Sequence, residues 1–209
     1  EARARFFSLA ALRVQREPLQ YIIGRAPFMG HEFLVRKGVL IPRADTEILC
    51  ARAAALLRPG IRVLDLCCGT GCLGISLKLA CPNAEVWLSD LSDEAVSLAE
   101  ENASMHQAQV LVLQGDLFQP LKGESFDLIL SNPPYIPSPD LPGLQPEVLR
   151  EPALALDGGP DGLTFYRRIL SEAGDFLRPG GNLLLEIGDG EAEAVTALCG
   201  PDYQEPAIF

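Results

Sequence analysis

Segments typical of buried strands alternate with segments typical of helices along most of this chain, and this alternation limits its possible folds more than any other feature. The predicted strands cover residues 61–66, 84–90, 109–116, 126–132 and 182–188. The predicted helices cover residues 1–16, 45–57, 70–80, 92–105, 161–177 and 191–199. Strands and helices in this order are joined by right-handed crossovers, which build a mainly parallel sheet. The sequence therefore predicts an α/β fold with a mainly parallel central sheet flanked by helices.

Two further short strands are predicted on either side of Gly30 and His31, where they form a small N-terminal β-hairpin. In a parallel sheet, ligands bind beyond the carboxyl ends of the strands. The informative residues are therefore expected directly after strands. The proline-rich loop 132–160 follows one of these strands, and loops of such length in compact domains are usually functional.

The charge and cysteine content exclude several functional classes. A formal net charge of −11 over 209 residues opposes a phosphate backbone, so we expect no direct nucleic-acid substrate. The sequence shows neither a signal peptide nor an apolar run long enough to cross a bilayer, which predicts a cytoplasmic protein without a membrane partner. Four of the six cysteines lie within residues 67–81 without a nearby histidine. That pattern favours reduced thiols over a zinc site, and we expect no metal.

The first strand of the sheet is followed by a glycine-rich turn. In "VLDLCCGTGCLG", Gly69, Gly71 and Gly74 match the pattern G-x-G-x-x-G, which several nucleotide-like cofactors share. Asp65 distinguishes among them, because a carboxylate at this strand end opposes the phosphates of a dinucleotide. It suits a cofactor with an amino group and no phosphate, such as S-adenosylmethionine. A dehydrogenase is therefore a poor alternative.

Two more acids follow the next two strands. Asp90 is expected to accept hydrogen bonds from both ribose hydroxyls, and Asp116 to face the adenine amino group with Leu117 against the ring. The alternative is that Asp90 and Asp116 only cap the segments that follow them. The predicted cofactor-binding residues are Asp65, Cys67, Cys68, Gly69, Thr70, Gly71, Asp90, Leu91, Asp116, Leu117 and Asn132.

The Asp65–Gly71 turn, Asp90 and the segment Asn132-Pro133-Pro134-Tyr135 together resemble class I methyltransferases that act on a planar amide or amino nitrogen. The segments "PLQYIIG", "LIPRADTE" and "EPALALDGGPDGLTFYRRI" narrow the resemblance to the bacterial PrmC/HemK family. This resemblance implies a Rossmann-like class I methyltransferase fold with S-adenosylmethionine as cofactor. It further implies methylation of N5 of the glutamine in the Gly-Gly-Gln motif of class 1 peptide chain release factors, which would be the protein partner.

The resemblance also implies a domain organisation. Residues 1–17 would be the end of an N-terminal helical substrate-binding domain that is otherwise largely absent. Residues 18–43 would be a linker with the hairpin, and residues 44–209 the catalytic domain, with its C-terminal strand pair expected to be incomplete. Cys67 stands where the family usually has glycine, so the turn must accept a small side chain there.

A glutamine amide nitrogen is a poor nucleophile because its lone pair is delocalised into the carbonyl group. We expect the Asn132 side-chain oxygen and the Pro133 carbonyl to accept its two N–H groups, and Tyr135 to pack on the planar amide. The prolines restrict the backbone and so hold these carbonyls in place. Pro134 is also expected to contact the substrate. The alternative is a proline-rich loop that only ends a strand. By this hypothesis the catalytic residues are Asn132, Pro133 and Tyr135.

The resemblance places Pro42, Arg43 and Glu47 near the active site, with Phe28 as part of a lid or floor, and the alternative is simple packing and surface charge. His31 and His106 are interpreted as surface or loop residues, and Arg167-Arg168 as a solvated helix face. Three other functions stay open: methylation of a glutamine in a ribosomal protein, methylation of an amino nitrogen such as adenine N6 in nucleic acid, and a non-catalytic cofactor-binding scaffold.

Overall fold

The computed structural model describes residues 2–201, 203–204 and 206–209. The α-helices are α1 (Ala2–Val14), α2 (Leu19–Ile23), α3 (Thr46–Ala54), α4 (Cys72–Ala80), α5 (Asp93–Met105), α6 (Thr164–Phe176) and α7 (Ala192–Ala197). The strands are β1 (Arg25–Phe28), β2 (His31–Leu34), β3 (Arg62–Leu66), β4 (Glu85–Asp90), β5 (Val110–Gln114), β6 (Phe126–Ser131) and β7 (Leu177–Leu185).

Strands β3 to β7 form one parallel sheet in the order β5-β4-β3-β6-β7. The chain runs outward from β3 through β4 to β5 and then returns to the other side of β3 with β6. This reversal creates a switch point between β3 and β6, where Leu66 lies beside Ser131. Strands β1 and β2 form the separate antiparallel hairpin. The predicted α/β fold is confirmed, and the switch point marks the edge where a ligand is expected.

The central strands are apolar on both faces because helices cover both sides of the sheet. Val63 and Leu128 pack in a core with residues of α3 and α4. On the opposite face, Leu64 and Ile129 pack with Ile169 of α6. This double-sided burial fixes β3 and β6 firmly and holds their carboxyl ends at one place.

Helix α5 begins as the sequence predicted. The Ser92 side chain accepts a hydrogen bond from the Ala95 backbone N–H at 3.3 Å, and two acids follow in the first turn. Such a cap satisfies one of the free N–H groups at the helix start, and the acids favour its positive end. The start of α5 therefore lies at a fixed position beside the end of β4.

Three features of the fold differ from the prediction. Helix α2 was not predicted. Strand β7 begins at Leu177, well before the predicted start at Asn182, and includes Pro179. Proline is accepted there because β7 is an edge strand, and its pairing with β6 shifts between Phe126 and Leu128. The loop after β6 contains three short 3-10 turns instead of irregular chain alone.

The described residues contain neither a membrane-spanning helix nor a cluster of metal-ligating side chains. No helix in this part of the chain is both long and apolar enough to cross a membrane. Among the same residues, no group of three histidine, cysteine or acidic side chains could hold a metal ion.

Candidate active site

A cavity lies beyond the carboxyl ends of β3, β4, β5 and β6, at the switch point of the sheet. Among the residues predicted from the sequence, the wall includes Cys67, Cys68, Gly69, Thr70, Asp90, Leu91, Asp116, Leu117, Asn132 and Pro134. Four predicted residues lie outside the wall: Asp65, Gly71, Pro133 and Tyr135. The structure thus brings most of the predicted site together around one space.

The glycine-rich turn after β3 reverses the chain through three residues with positive φ. These are Cys67 at 60°, Gly69 at 54° and Gly71 at 76°. This region is strained for a residue with a side chain, so Cys67 is held there by its surroundings. A Cβ atom at position 71 would lie 3.0 Å from the terminal methyl group of Ile75, so glycine is favoured there by tight packing as well as by φ. The turn accommodates a cysteine at its start, as the sequence required.

Asp65 lies behind the cavity wall. Its Oδ2 accepts a hydrogen bond from the Gly74 backbone N–H at 2.9 Å, and Oδ1 is buried without a partner among the described residues. Burial raises the pKa of Asp65 to about 7, and the charge of Asp90 adds to the rise. Asp65 therefore ties the glycine turn to the start of α4, and its contact with a cofactor stays a prediction.

Asp90 ends β4 and lies in the cavity wall. Its Oδ2 accepts from the Gly69 backbone N–H at 2.8 Å, and its Oδ1 accepts from the Ser92 backbone N–H at 3.0 Å. Burial raises the pKa of Asp90, while these backbone N–H groups oppose the rise. Each carboxylate oxygen has a further lone pair that can accept a ribose hydroxyl. Asp90 thus both fixes the local backbone and presents an acceptor pair to the cavity.

Asp116, after β5, forms an ion pair with Arg168 of α6, whose Nη2 lies 2.8 Å from Oδ2. The side chain of Arg168 is 39% exposed, so it is partly solvated as interpreted, and its partner Asp116 lies in the cavity wall. Arg167 fits the interpretation, since it is half exposed and pairs with Asp161. Leu117 is buried and has a φ of 48°, which places it in the wall beside Asp116.

The segment 38–43 covers one side of the cavity. The Ile41 backbone N–H donates to the buried carboxylate of Glu151 at 2.9 Å, and the same carboxylate pairs with Arg43. Pro42 and Arg43 lie in the wall. Glu47 does not lie in the wall, and its carboxylate accepts a hydrogen bond from the Met29 backbone N–H at 2.6 Å. The segment therefore connects the hairpin region to the loop after β6.

Phe28, His31 and His106 lie outside the cavity wall. Phe28 is buried in the core, where its ring contacts Phe33 edge to face. The rings of His31 and His106 form an edge-to-face pair, and His106 Nε2 contacts the Glu32 carbonyl oxygen at 2.9 Å. Neither histidine belongs to the cavity wall, which agrees with the interpretation of surface or loop residues.

Asn132 directly follows β6 and lies in the cavity wall. Its Nδ2 donates a hydrogen bond to the hydroxyl of the buried Thr46, at 3.1 Å. The side-chain amide is thereby oriented with its nitrogen toward α3. The Oδ1 atom remains available as an acceptor for a ligand in the cavity.

The chain after Asn132 is held by a distant segment, residues 156–162. The Ile136 backbone N–H donates to Leu156 O at 3.0 Å, and the Gly158 N–H donates back to Ile136 O at 2.8 Å. A Cβ atom at Gly158 would lie 2.7 Å from the Tyr135 backbone, and one at Gly162 would lie 2.5 Å from the Tyr135 carbonyl oxygen. These glycines allow the two segments to approach, so they set the position of Tyr135.

Glu186 is a site residue that sequence reasoning missed. It directly follows β7, and the side-chain hydrogen-bonding groups of Thr46, Asn132 and Tyr135 lie close to its carboxyl group. Burial raises the pKa of Glu186, and those three groups oppose the rise. The available signal was its position: like Asp90, it is an acid at the carboxyl end of a parallel strand, although it was assigned to the interior of the predicted strand 182–188.

The parallel sheet, the glycine turn after β3, an acid after β4 and an amide after β6 define a class I S-adenosylmethionine-dependent methyltransferase. Residues 45–141 match the family model "Methyltransferase small domain". A solved methyltransferase from Pyrococcus furiosus has the same fold, with a TM-score of 0.61 at 19% identity over 94% of this chain and 84% of its own.

Curated relatives identify the family. The "Release factor glutamine methyltransferase" of Geobacter sulfurreducens is 48% identical over 91% of this chain and 67% of its own length. The protein of the same name from Moorella thermoacetica is 45% identical over 94% of this chain and 71% of its own length. The chain belongs to the release factor glutamine methyltransferase family.

Proposed function

We propose that this protein transfers a methyl group from S-adenosylmethionine to the side-chain nitrogen N5 of the glutamine in the Gly-Gly-Gln motif of class 1 peptide chain release factors. The observation that carries this proposal is the orientation of Asn132. Its Nδ2 is engaged by Thr46, which leaves Oδ1 free to accept an N–H group of a substrate amide. The name shared by the curated relatives supports release factors as the substrate class.

The wall of the cavity fits S-adenosylmethionine better than a dinucleotide. Two of its residues, Asp90 and Asp116, carry carboxylates, which oppose a pyrophosphate. Arg43 is the basic residue among the described wall residues, and Glu151 engages it. S-adenosylmethionine has no phosphate and offers ribose hydroxyls and an adenine amino group as donors. When bound, it supplies an electrophilic methyl group on its sulfonium centre.

We assign the cofactor contacts to residues after three neighbouring strands. Asp90 accepts the ribose hydroxyls, and Asp116 accepts the adenine amino group with Leu117 against the ring. The turn at Cys67, Cys68, Gly69 and Thr70, together with Leu91 after β4, shapes the wall around the methionine and adenosine portions. Asp65 and Gly71 support this turn from behind the wall.

We assign the substrate contacts to the segment after β6. Asn132 Oδ1 and the Pro133 carbonyl accept the two N–H groups of the glutamine amide, which turns its nitrogen toward the methyl group. As the new N–C bond forms, the bond between sulfur and the methyl carbon would break, with S-adenosylhomocysteine as the leaving group. Positive charge would develop on the nitrogen, and the fixed carbonyl dipoles of Asn132 and Pro133 would stabilise it. Tyr135 packs its ring against the amide and excludes water, and Pro134 contacts the substrate. The methylated nitrogen then releases one proton to solvent, so no strong base is required.

The experiment that tests this function uses labelled S-adenosylmethionine, the purified protein and a class 1 release factor. We expect one methyl group per release factor, located by mass spectrometry on the glutamine of the Gly-Gly-Gln motif. A release factor in which that glutamine is replaced by glutamate is the matched control and should stay unlabelled. Labelling of the glutamate form, or preferred labelling of DNA or a ribosomal protein, would contradict the proposal.

A further inference from the structure

Glu186 and Asn132 are neighbours across two parallel strands. Ser131 and Leu185 are paired in the register of β6 and β7, and the Glu186 backbone N–H donates to Ser131 O at 3.0 Å. The next residue of each strand is therefore Asn132 and Glu186, and paired residues direct their side chains to the same face of a sheet. The carboxyl group of Glu186 thus lies beside the Asn132 amide as a consequence of strand register.

The Glu186 carboxyl group lacks part of its hydrogen bonding. Its Oε2 atom is buried and has no hydrogen-bond partner among the described residues. A buried carboxylate without donors is costly, so nearby donors are expected to turn toward it. The available donors are the second N–H of Asn132 Nδ2, the hydroxyl of Thr46 and the hydroxyl of Tyr135.

We infer that Glu186, together with Thr46, is a positioning residue that fixes the side-chain amide of Asn132. One Nδ2–H group of Asn132 donates to Thr46 and the other to Glu186. An amide rotated by half a turn would direct Oδ1 against the carboxylate, which electrostatic repulsion opposes. Oδ1 is therefore held toward the cavity before substrate arrives. The expected effect on turnover rests on the proposed function, because Oδ1 is the group assigned to the substrate amide.

A kinetic experiment tests this inference through the pair of residues. Glu186→Gln should lower turnover by about ten- to a hundredfold, while affinity for S-adenosylmethionine changes by less than about twofold. In an Asn132→Ala background the same substitution should cost almost nothing more, because its effect passes through Asn132. Asp45→Asn is the matched control, since Asp45 is an exposed acid whose charge also acts on Glu186 and it should retain full turnover. Independent, multiplying losses in the double variant would overturn the inference.

A second measurement does not depend on methyl transfer. In nuclear magnetic resonance spectra, the two Asn132 side-chain N–H signals can be assigned by their disappearance in Asn132→Ala. In the parent protein we expect both signals to be slow in exchange with water, and in Glu186→Gln and Thr46→Val one of them to lose protection. Unchanged signals in Glu186→Gln would overturn the inference even if release factors are methylated. Altered signals in a parent protein that does not label release factors would support it and contradict only the proposed function.

Discussion

The cofactor side of the cavity is held by backbone groups close to the strand ends, whereas the side near Asn132 is held by segments far away in the sequence. Asp90 accepts N–H groups from Gly69 and Ser92, both within or beside turns that directly follow β3 and β4. Asn132 depends on Thr46, and Tyr135 depends on Gly158 and the residues around it. The geometry around Asp90 therefore follows from the sheet and its adjacent turns. The geometry around Asn132 and Tyr135 follows from the packing of segments that are distant in the sequence.

This difference predicts two separable kinds of defect. Changes on the cofactor side should act mainly on binding of S-adenosylmethionine. Changes near Asn132 should act mainly on turnover, because we assign that segment chiefly to the substrate amide. Variants on the two sides should therefore differ in whether cofactor affinity or turnover is lost.

The largest effect is expected for Asn132→Ala. Loss of one preorganised acceptor in a catalytic site costs about a hundred- to a thousandfold in turnover. Affinity for S-adenosylmethionine, measured by calorimetric titration, should change far less, because most of the wall is intact. A variant that turns over at the parental rate would reduce Asn132 to a residue that only ends a strand.

A smaller effect, on binding, is expected for Asp90→Ala. Charge-assisted hydrogen bonds contribute about 1.5–3 kcal/mol, so affinity for S-adenosylmethionine should fall roughly tenfold to a hundredfold. Asp90→Asn keeps acceptors for part of the local backbone and serves as the second variant if the alanine form is unstable. The same titration against pH should show affinity falling on the acid side, because protonation of Asp90, whose pKa is raised by burial, removes the charged acceptor. Unchanged affinity in both variants, or tight binding of a nicotinamide dinucleotide by the parent, would contradict the cofactor assignment.

Asp65→Asn tests the buried acid behind the cofactor side. The pKa of Asp65 is raised to about 7 in the folded protein, so folding favours its protonated form. Its stability contribution is complete below the pKa of the unfolded chain and is lost as pH rises toward the folded value. The asparagine variant should therefore gain stability relative to the parent between pH 5 and pH 8, by about 1–3 kcal/mol. Urea unfolding at both pH values measures this difference, and an equal difference at both would show that Asp65 is not perturbed.

Most residues predicted to bind the cofactor lie in the cavity wall, and they could be located in the sequence because their signals are local. Acids after β4 and β5, and glycines after β3, can be located once the strands are recognised. For Asp90 the two alternatives, a ribose acceptor and a cap for the following segment, are compatible, because the cap is present and the carboxylate also faces the cavity. Asp65 lies outside the cavity wall and accepts a hydrogen bond from the Gly74 N–H group, and its contact with the cofactor stays a prediction.

The side near Asn132 was predicted only in part. The segment Asn132-Pro133-Pro134-Tyr135 was recognisable from its composition and its place after a strand. The residues that lie beside Asn132 were not predicted, because Thr46 is far before it in the chain and Glu186 is far after it. Contacts at such separation follow from strand order and loop packing, which periodicity does not reveal. The pairing of Arg168 with Asp116 was not predicted for the same reason, because the two residues lie on different elements.

Gly158→Ala should produce a loss of about tenfold in turnover with little change in affinity for the cofactor. The added methyl group would overlap the Tyr135 backbone, so either the 156–162 segment or Tyr135 must move. Gly143→Ala is the matched control in the same loop, because a Cβ atom there meets nothing within 4 Å. Steady-state rates and thermal unfolding of both variants decide the outcome. Equal rates in the two variants would show that the position of Tyr135 does not matter for turnover.

The smallest effect is expected for Arg168→Met. The Asp116 and Arg168 side chains are 43% and 39% exposed, and ion pairs with such exposure contribute about 0–1 kcal/mol. Affinity for S-adenosylmethionine should therefore change by less than about fivefold, since the variant retains the Asp116 carboxylate to which we assign the adenine amino group. Arg167→Met, which removes the neighbouring pair with Asp161 outside the cavity wall, provides the baseline in the same titration. If Arg168→Met weakens binding more than tenfold while Arg167→Met does not, the cofactor side also depends on a distant element. The contrast between its local construction and the long-range construction around Asn132 would then no longer hold at the adenine end of the cavity.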